Sequence, residues 1–367
     1  MFRAYKTELD PNNKQRTWLI RYCGVSRFVY NWSLSDRNSR YEQGLTTNMY
    51  EQKRRFNTLK KEQFPWVQDV AYKVEESAFA NADLAFKNFF RRVKAGERAV
   101  GFPKFKSRKR GLGSFTLRSN IYVRGGAIRL PRLEVIRLKE DGYLPISGVK
   151  ILAATISERA GHWFVSLRVE EPNKPVPPSG DGVIGVDVGV KVLATCSNGK
   201  VFENPKSLSR YEKRLTHIQR ELCRRQKGSR NRGKTREKLA KLHYRIANIR
   251  RYSLHQVSNY LTVKAKPETV VLEDLNVAGM LQNRHLSKVI ADASFAELRR
   301  QLEYKCAWYG VGLVVADRFY PSSKTCSSCG VKKPLLKLSE RMFVCESCGV
   351  VIDRDFNASL NLAGLVQ

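Results

Sequence analysis

The sequence predicts a multidomain chain of α+β and α/β type, a small β-barrel with a helical insertion followed by a separate α/β unit. Residues 10–96 place apolar side chains at helical spacing, whereas residues 115–169 break into short β-type runs divided by Gly and Asn. Residues 170–182, "EEPNKPVPPSGDG", are Pro-rich and mark the clearest boundary, with the linker itself at 173–182. Beyond it the pattern becomes strand, hairpin, long helices, strand, helix, strand, the alternation of an α/β unit.

Taken in order, "FRAYKTEL" suits a short strand that could complete the barrel, giving it residues 1–9 and 97–172. Asp10-Pro11 then predicts a helix start, with the carboxylate as N-cap and the proline at the first helical position. Trp18, Tyr22, Val25, Val29 and Trp32 form one helical stripe, and Thr47–Lys61 and Val67–Ala95 predict two further helices, the last ending at Gly96. A basic loop, "GFPKFKSRKRGLG", offers Lys104, Lys106, Arg108, Lys109 and Arg110 to a polyanion. Strands are expected at 115–117, 121–123, 128–130, 133–138, 149–157 and 163–169. Past the linker, Leu208, Tyr211, Leu215, Ile218 and Leu222 face Leu239, Leu242, Ile246 and Ile249 as two antiparallel helices. The tip between them, 224–238, holds eight Lys/Arg and one Glu. Arg224, Arg225, Lys227, Arg230, Arg232, Lys234 and Arg236 are therefore candidates for phosphate contact, because charges this dense repel unless something neutralises them.

The whole chain has a formal charge of +33 over 367 residues. That favours nucleic acid as partner. No apolar run of 18 residues and no apolar amino-terminal stretch is present, so no membrane and a cytoplasmic or nucleoid location are expected.

Against this background three acids stand out. Asp187 ends the apolar run "VIGVD", Glu273 ends "TVVLE", and Asp355 sits where a helix begins in "DRDFNASLNLAGL". They lie 86 and 82 residues apart (187 to 273, 273 to 355), so only a fold could join them. If joined, each pair would repel by roughly 4 kcal/mol at 4 Å with an effective dielectric of about 20. Divalent ions such as Mg²⁺ make such a cluster tolerable, and two of them can stabilise the attacking and leaving oxygens of a phosphodiester displacement. Asp274 would point to the other face of its strand. Spacing alone does not choose between Asp353 and Asp355.

"CSSCG" at 326–330 and "CESCG" at 345–349 give C-x2-C-x15-C-x2-C. Cys326, Cys329, Cys345 and Cys348 therefore read as a closed, structural Zn²⁺ site. Cys23, Cys196, Cys223 and Cys306 read as small buried hydrophobes.

The chain resembles the TnpB family, transposon-encoded RNA-guided nucleases related to the type V CRISPR effectors. The likeness rests on "CGVSRFVYNWSL", "GVDVGVKVLATCSNG", "KLAKLHYRIANIRR", "VVLEDLNVAGM", "LEYKCAWYG", "SSKTCSSCG" and "VCESCGVVIDRDFNASLNL", in this order. It implies an RNase H-like RuvC domain at 183–320 and 350–367, a zinc ribbon at 321–349, a wedge-like barrel, and a recognition domain at 10–96. It implies Asp187, Glu273 and Asp355 as catalytic acids holding Mg²⁺ or Mn²⁺. The partners implied are a guide RNA from the transposon end and double-stranded target DNA beside a short motif, with the protein a monomer on its RNA. One departure is Tyr252-Ser253, where the family has an acidic residue and Phe; it would alter packing beside the nuclease core. A nuclease-inactive binding regulator, or a transposase using the same carboxylates, are the alternative functions.

Overall fold

The computed structural model describes residues 2–145, 147–172, 180–337 and 339–366, with only the backbone of Arg110. The chain divides into two compact units, Met1–Asn173 and Lys174–Gln367. Residues 173–179 of the expected linker lie outside the described residues.

The first unit opens with β1 (Phe2–Asp10), continues through α1 (Asn13–Glu42), α2 (Met49–Glu62) and α3 (Tyr72–Lys94), and then forms six strands. These are β2 (Ser114–Leu117), β3 (Tyr122–Arg124), β4 (Ala127–Leu130), β5 (Leu133–Leu138), β6 (Lys150–Arg159) and β7 (His162–Glu170). The antiparallel sheet runs β2-β6-β7-β1-β5-β4-β3. β1 lies at its centre, in register with β7 from Phe2–Glu170 to Leu9–Trp163 and with β5 at Leu9–Leu138. Among the described residues no ladder joins β2 to β3, the two end strands of the sheet that stands where a small barrel was expected. Those end strands are only four and three residues long, which leaves few groups for a closing ladder.

The first helix starts later than Asp10-Pro11 predicts, because Asp10 still belongs to β1. Asn12 caps it instead. Its Oδ1 accepts from the Gln15 N–H at 2.9 Å while Gln15 Oε1 accepts from the Asn12 N–H at 3.0 Å, a reciprocal capping box. Leu19, Tyr22 and Val29 of α1, Phe56 of α2 and Phe79 of α3 share a single core with Leu117, Ile136 and Val165 of the sheet. The helices thus close over the sheet and do not form a core of their own.

The second unit contains β8 (Val183–Asp187), β9 (Val192–Cys196), β10 (Val201–Glu203), α4 (Ser207–Arg224), α5 (Arg230–Asn259), β11 (Thr269–Glu273) and α6 (Val277–Met280). It continues with α7 (Ser287–Ala293), α8 (Phe295–Tyr309), β12 (Gly312–Ala316), β13 (Met342–Val344), β14 (Val351–Asp353) and α9 (Arg354–Ala363). The five-stranded sheet has the order β10-β9-β8-β11-β12. β8, β9 and β10 form an antiparallel meander, whereas β11 runs parallel to both β8 and β12. Leu254 and Val257 of α5, Leu261 of the helical turn that follows it (Tyr260–Lys264), and Leu298, Leu302 and Cys306 of α8 cover one face with Val186, Val270 and Leu272.

The α4–α5 hairpin packs through Leu215, Ile218, Leu242 and Ile246, on the two stripes that the sequence shows. Its tip is shorter than 224–238. Ser229 caps α5 by accepting from the Arg232 N–H at 3.1 Å, so most of the basic stretch is helix. Tyr252 is 67 % exposed, whereas Ser253 is half-buried and donates to the Ile249 carbonyl at 3.3 Å. Cys23, Cys196 and Cys306 are buried as expected, but Cys223 is exposed near the end of α4. No helix among the described residues is long and apolar enough to cross a membrane.

Candidate functional site

Parallel pairing brings the first two acids together. Val186 lies opposite Leu272, so Asp187 and Glu273, the last residues of β8 and β11, leave the same end of the sheet. Asp355 arrives on the first turn of α9, and a glycine explains how closely that helix can approach. A Cβ at Gly185 would stand 2.0 Å from the Ser359 carbonyl oxygen and 2.5 Å from the Ala363 nitrogen. The α9 backbone therefore sits directly on β8, two residues before Asp187.

The arrangement is electrostatically costly without cations. Burial, then the charges of Glu273 and Asp355 and more weakly Asp353, drive the Asp187 carboxyl well above its usual range, with Arg354 opposing. Burial also raises Glu273, to about 7, with Asp355 adding to the rise and a hydrogen bond from the Val188 N–H opposing it. Asp355 has two arginines beside it: Arg354 Nη2 at 3.3 Å and Arg341 Nη1 at 3.8 Å.

The neighbouring acids do other work. Asp353 caps α9, its Oδ1 accepting from the Asp355 and Phe356 N–H groups at 2.9 and 3.0 Å. Asp274 lies just past β11 and receives Arg299 at 2.7 Å on one oxygen and Arg318 at 2.6 Å on the other.

The four cysteines form the tightest cluster. Among the described residues they alone bring three or more His, Cys, Asp or Glu ligand atoms within 4.8 Å of one another. Cys326 and Cys348 sulfurs are 3.7 Å apart and those of Cys329 and Cys345 3.5 Å. A disulfide would require about 2.05 Å. Four thiolates about 2.3 Å from one Zn²⁺ in a tetrahedron stand about 3.8 Å from each other, so the set fits zinc. The Cys348 N–H, helped by that of Ser347, outweighs burial and holds the Cys345 thiol at about 6.

Of the basic candidates, Lys104, Arg108 and Lys109 are exposed in the loop of the first unit. Lys106 is also accessible, yet its ammonium lies 4.0 Å from the Tyr30 ring centre and partial burial lowers its pKa. Asn31 grips its backbone, donating to the Lys106 carbonyl at 2.9 Å and accepting from its N–H at 2.8 Å. In the second unit Arg224, Lys227, Arg230, Lys234 and Arg236 are exposed. Arg225 is exposed too but pairs with Glu221 at 3.0 Å. Arg232 departs from the expectation. Half-buried, it donates to the Leu222 and Arg225 carbonyls at 2.5 and 2.9 Å and so closes the end of α4.

Sequence reasoning missed a groove of about 1130 Å³ in the first unit, lined by Tyr72, Lys73, Asn120, Tyr122, Arg129 and Arg132 among others. Its residues come from separate short segments, and no spacing links them. It also missed Asn357 and Asn361, buried on α9; two amides four residues apart on one helix face were the available signal.

Known proteins place this architecture. Family models match three stretches: a helix-turn-helix domain at residues 1–46, an OrfB_IS605 domain described as a probable transposase at 166–284, and a Cas12f1-like TNB domain at 295–362. In this chain the first stretch is a strand and a single long helix. These matches define a class, the transposon OrfB proteins. A putative RNA-guided DNA endonuclease of Streptomyces pristinaespiralis is 38 % identical, over 99 % of this chain and 89 % of its own length. The putative RNA-guided DNA endonuclease InsQ of Escherichia coli (strain K12) is 31 % identical, over 98 % and 91 %. The solved mini-RNA-guided endonuclease CRISPR-Cas phi3 shares the fold with a TM-score of 0.57 at 10 % identity, covering 100 % of this chain and 92 % of that one. The chain belongs to the TnpB family.

Proposed function

We propose that this protein is an RNA-guided DNA endonuclease encoded by an insertion sequence, of the RuvC and RNase H-like type. One observation carries the reading: three acids from distant segments converge at one end of a mixed sheet, two of them with raised pKa values, in a chain of charge +33. Burial and mutual repulsion make the charged forms of Asp187 and Glu273 costly when no cation is present. The use of such a cluster is to hold divalent cations against a phosphodiester.

Asp187, Glu273 and Asp355 would be the ligands, with Asp187 and Glu273 on rigid strand ends and Asp355 held by a capped helix. When bound, two Mg²⁺ ions would polarise the scissile phosphate and lower the pKa of the attacking water. The chain contributes the placement. The Val188 N–H orients the Glu273 carboxylate, the α9 seat on Gly185 fixes Asp355, and Arg341 and Arg354 balance its charge. Zn²⁺ at the four cysteines would be structural, since four thiolates leave no open position. The exposed basic residues near 104–109 and 224–236 would meet the phosphates of guide RNA and target DNA.

The test begins with RNA that co-purifies when the gene is expressed with its flanking DNA. One structured RNA ending in a variable segment is expected, and the complex should cut matching plasmid in Mg²⁺. Asp187→Ala should bind RNA and DNA but not cut. Cutting by that variant, strand-transfer products in place of breaks, or heterogeneous RNA would overturn the reading.

A further inference from the structure

The cysteine cluster and the acids are linked through α9, and one buried side chain makes the link. Asn357 is fully buried. Its Nδ2 donates to the Thr325 carbonyl at 2.7 Å, and its Oδ1 accepts from the Ser327 N–H at 2.9 Å. Ser327 lies inside the first Cys-x-x-Cys turn, between Cys326 and Cys329, and Thr325 immediately precedes it. Asn361, one turn further along α9, donates to the Ser322 and Thr325 carbonyls at 2.7 Å each. Its own carbonyl accepts from the Tyr320 hydroxyl at 3.1 Å. The second cysteine turn reaches the helix by another route. The Cys345 N–H bonds to the Val350 carbonyl at 2.9 Å, and β14 then runs directly into the Asp353 cap.

Residues advance about 100° each around a helix, so Asp355 and Asn357 look in nearly opposite directions. The first turn of α9 is thus a short rod, with a metal-ligand candidate on one side and a reader of the cysteine turn on the other. A buried amide whose donor and acceptor both bind backbone admits one geometry, because losing either bond strands a buried polar group. We propose that Asn357 is a positioning residue that couples metal occupancy at the four cysteines to the placement of the Asp355 carboxylate. Zinc shapes the 326–329 turn, the turn orients the Ser327 N–H, and Asn357 passes that orientation to the first turn of α9. The role assigned to Asp355 rests on the function proposed above; the coupling itself does not. Asn361 shares the Thr325 carbonyl but makes no bond to Ser327 inside the turn, so it anchors α9 without the contact assigned to the coupling.

The experiment uses the full chain with and without chelation of zinc. Amide hydrogen exchange over residues 355–360 should speed at least tenfold when zinc is removed from the wild-type protein. Mn²⁺ binding followed by electron paramagnetic resonance should weaken about tenfold at the same time, within the usual range for coupled sites. Asn357→Ala should already show the weakened Mn²⁺ affinity with zinc bound, and zinc removal should then add little. Asn361→Ala should keep the response to zinc. Wild-type α9 exchange that ignores zinc, or an Asn357→Ala protein that still responds to zinc as the wild type does, would overturn the coupling. An Mn²⁺ signal unaffected by Asp187→Asn would instead overturn the proposed metal site, while the exchange data still decide the coupling. If Asn357→Ala does not fold, the wild-type exchange measurement stands without it.

Discussion

Glu273→Gln offers the sharpest test of the acidic cluster. The carboxyl is raised from 4.5 to about 7, chiefly by burial. The folded protein therefore holds that proton more tightly than the unfolded chain. The associated stability is full below about pH 4.5 and disappears as pH rises through about 7. At about 1.36 kcal/mol per unit, the wild-type penalty is about 1 kcal/mol at pH 5 and about 3 kcal/mol at pH 8. Glutamine keeps an acceptor for the Val188 N–H while removing the charge, and it relieves Asp187 in the same direction. In buffer free of Mg²⁺ with zinc retained, urea unfolding followed by circular dichroism should find the variant more stable by up to about 3 kcal/mol at pH 8, with most of the gain gone at pH 5. Added Mg²⁺ should stabilise the wild type and not the variant. A variant no more stable at pH 8, or a gain equal at both pH values, would refute the electrostatic account.

Gly185→Ala should destabilise the second unit by about 3 kcal/mol, because its Cβ meets helix backbone that no rotamer change can move; a loss under 1 kcal/mol in the same urea titration would mean that α9 shifts freely. Cys329→Ser should lower zinc, measured by elemental analysis, from about one atom per chain. Neutralising Arg224, Lys227 and Arg230 together should flatten the salt dependence of nucleic-acid affinity by up to about three phosphate contacts. Arg232→Ala should leave that slope alone and lower the melting temperature, since its guanidinium closes α4.

Much of the second unit was legible because its signals are local. Apolar runs ending in an acid mark strands whose ends are exposed to chemistry, and the cysteine spacing encodes a cluster almost by itself. The two leucine stripes specify the α4–α5 hairpin in the same way. What stayed hidden depends on partners far away in sequence. Asp10-Pro11 is a sound helix start in isolation, yet pairing extends β1 through Asp10 and hands the cap to Asn12. Sheet closure turns on whether short end strands meet, which propensity does not encode. Arg232 resembles its basic neighbours in sequence, yet the Leu222 and Arg225 carbonyls at the end of α4 claim its guanidinium. The convergence of the acids was readable only through the family resemblance, since residues 86 and 82 apart in sequence carry no spacing rule.

The seat of α9 on Gly185 bears on how such a chain can change length over evolutionary time. The acids are located by two strand ends and one backbone contact, and none of these depends on how much polypeptide loops out between them. Because closure entropy grows only with the logarithm of loop length, doubling an excursion costs about 0.6 kcal/mol. The α4–α5 hairpin and the tip of the cysteine hairpin are therefore free to grow, shrink or acquire new surfaces while the site stays fixed. Relatives should vary most in those excursions and least at position 185, where a single added methyl would lift the helix away from the strand it rests on.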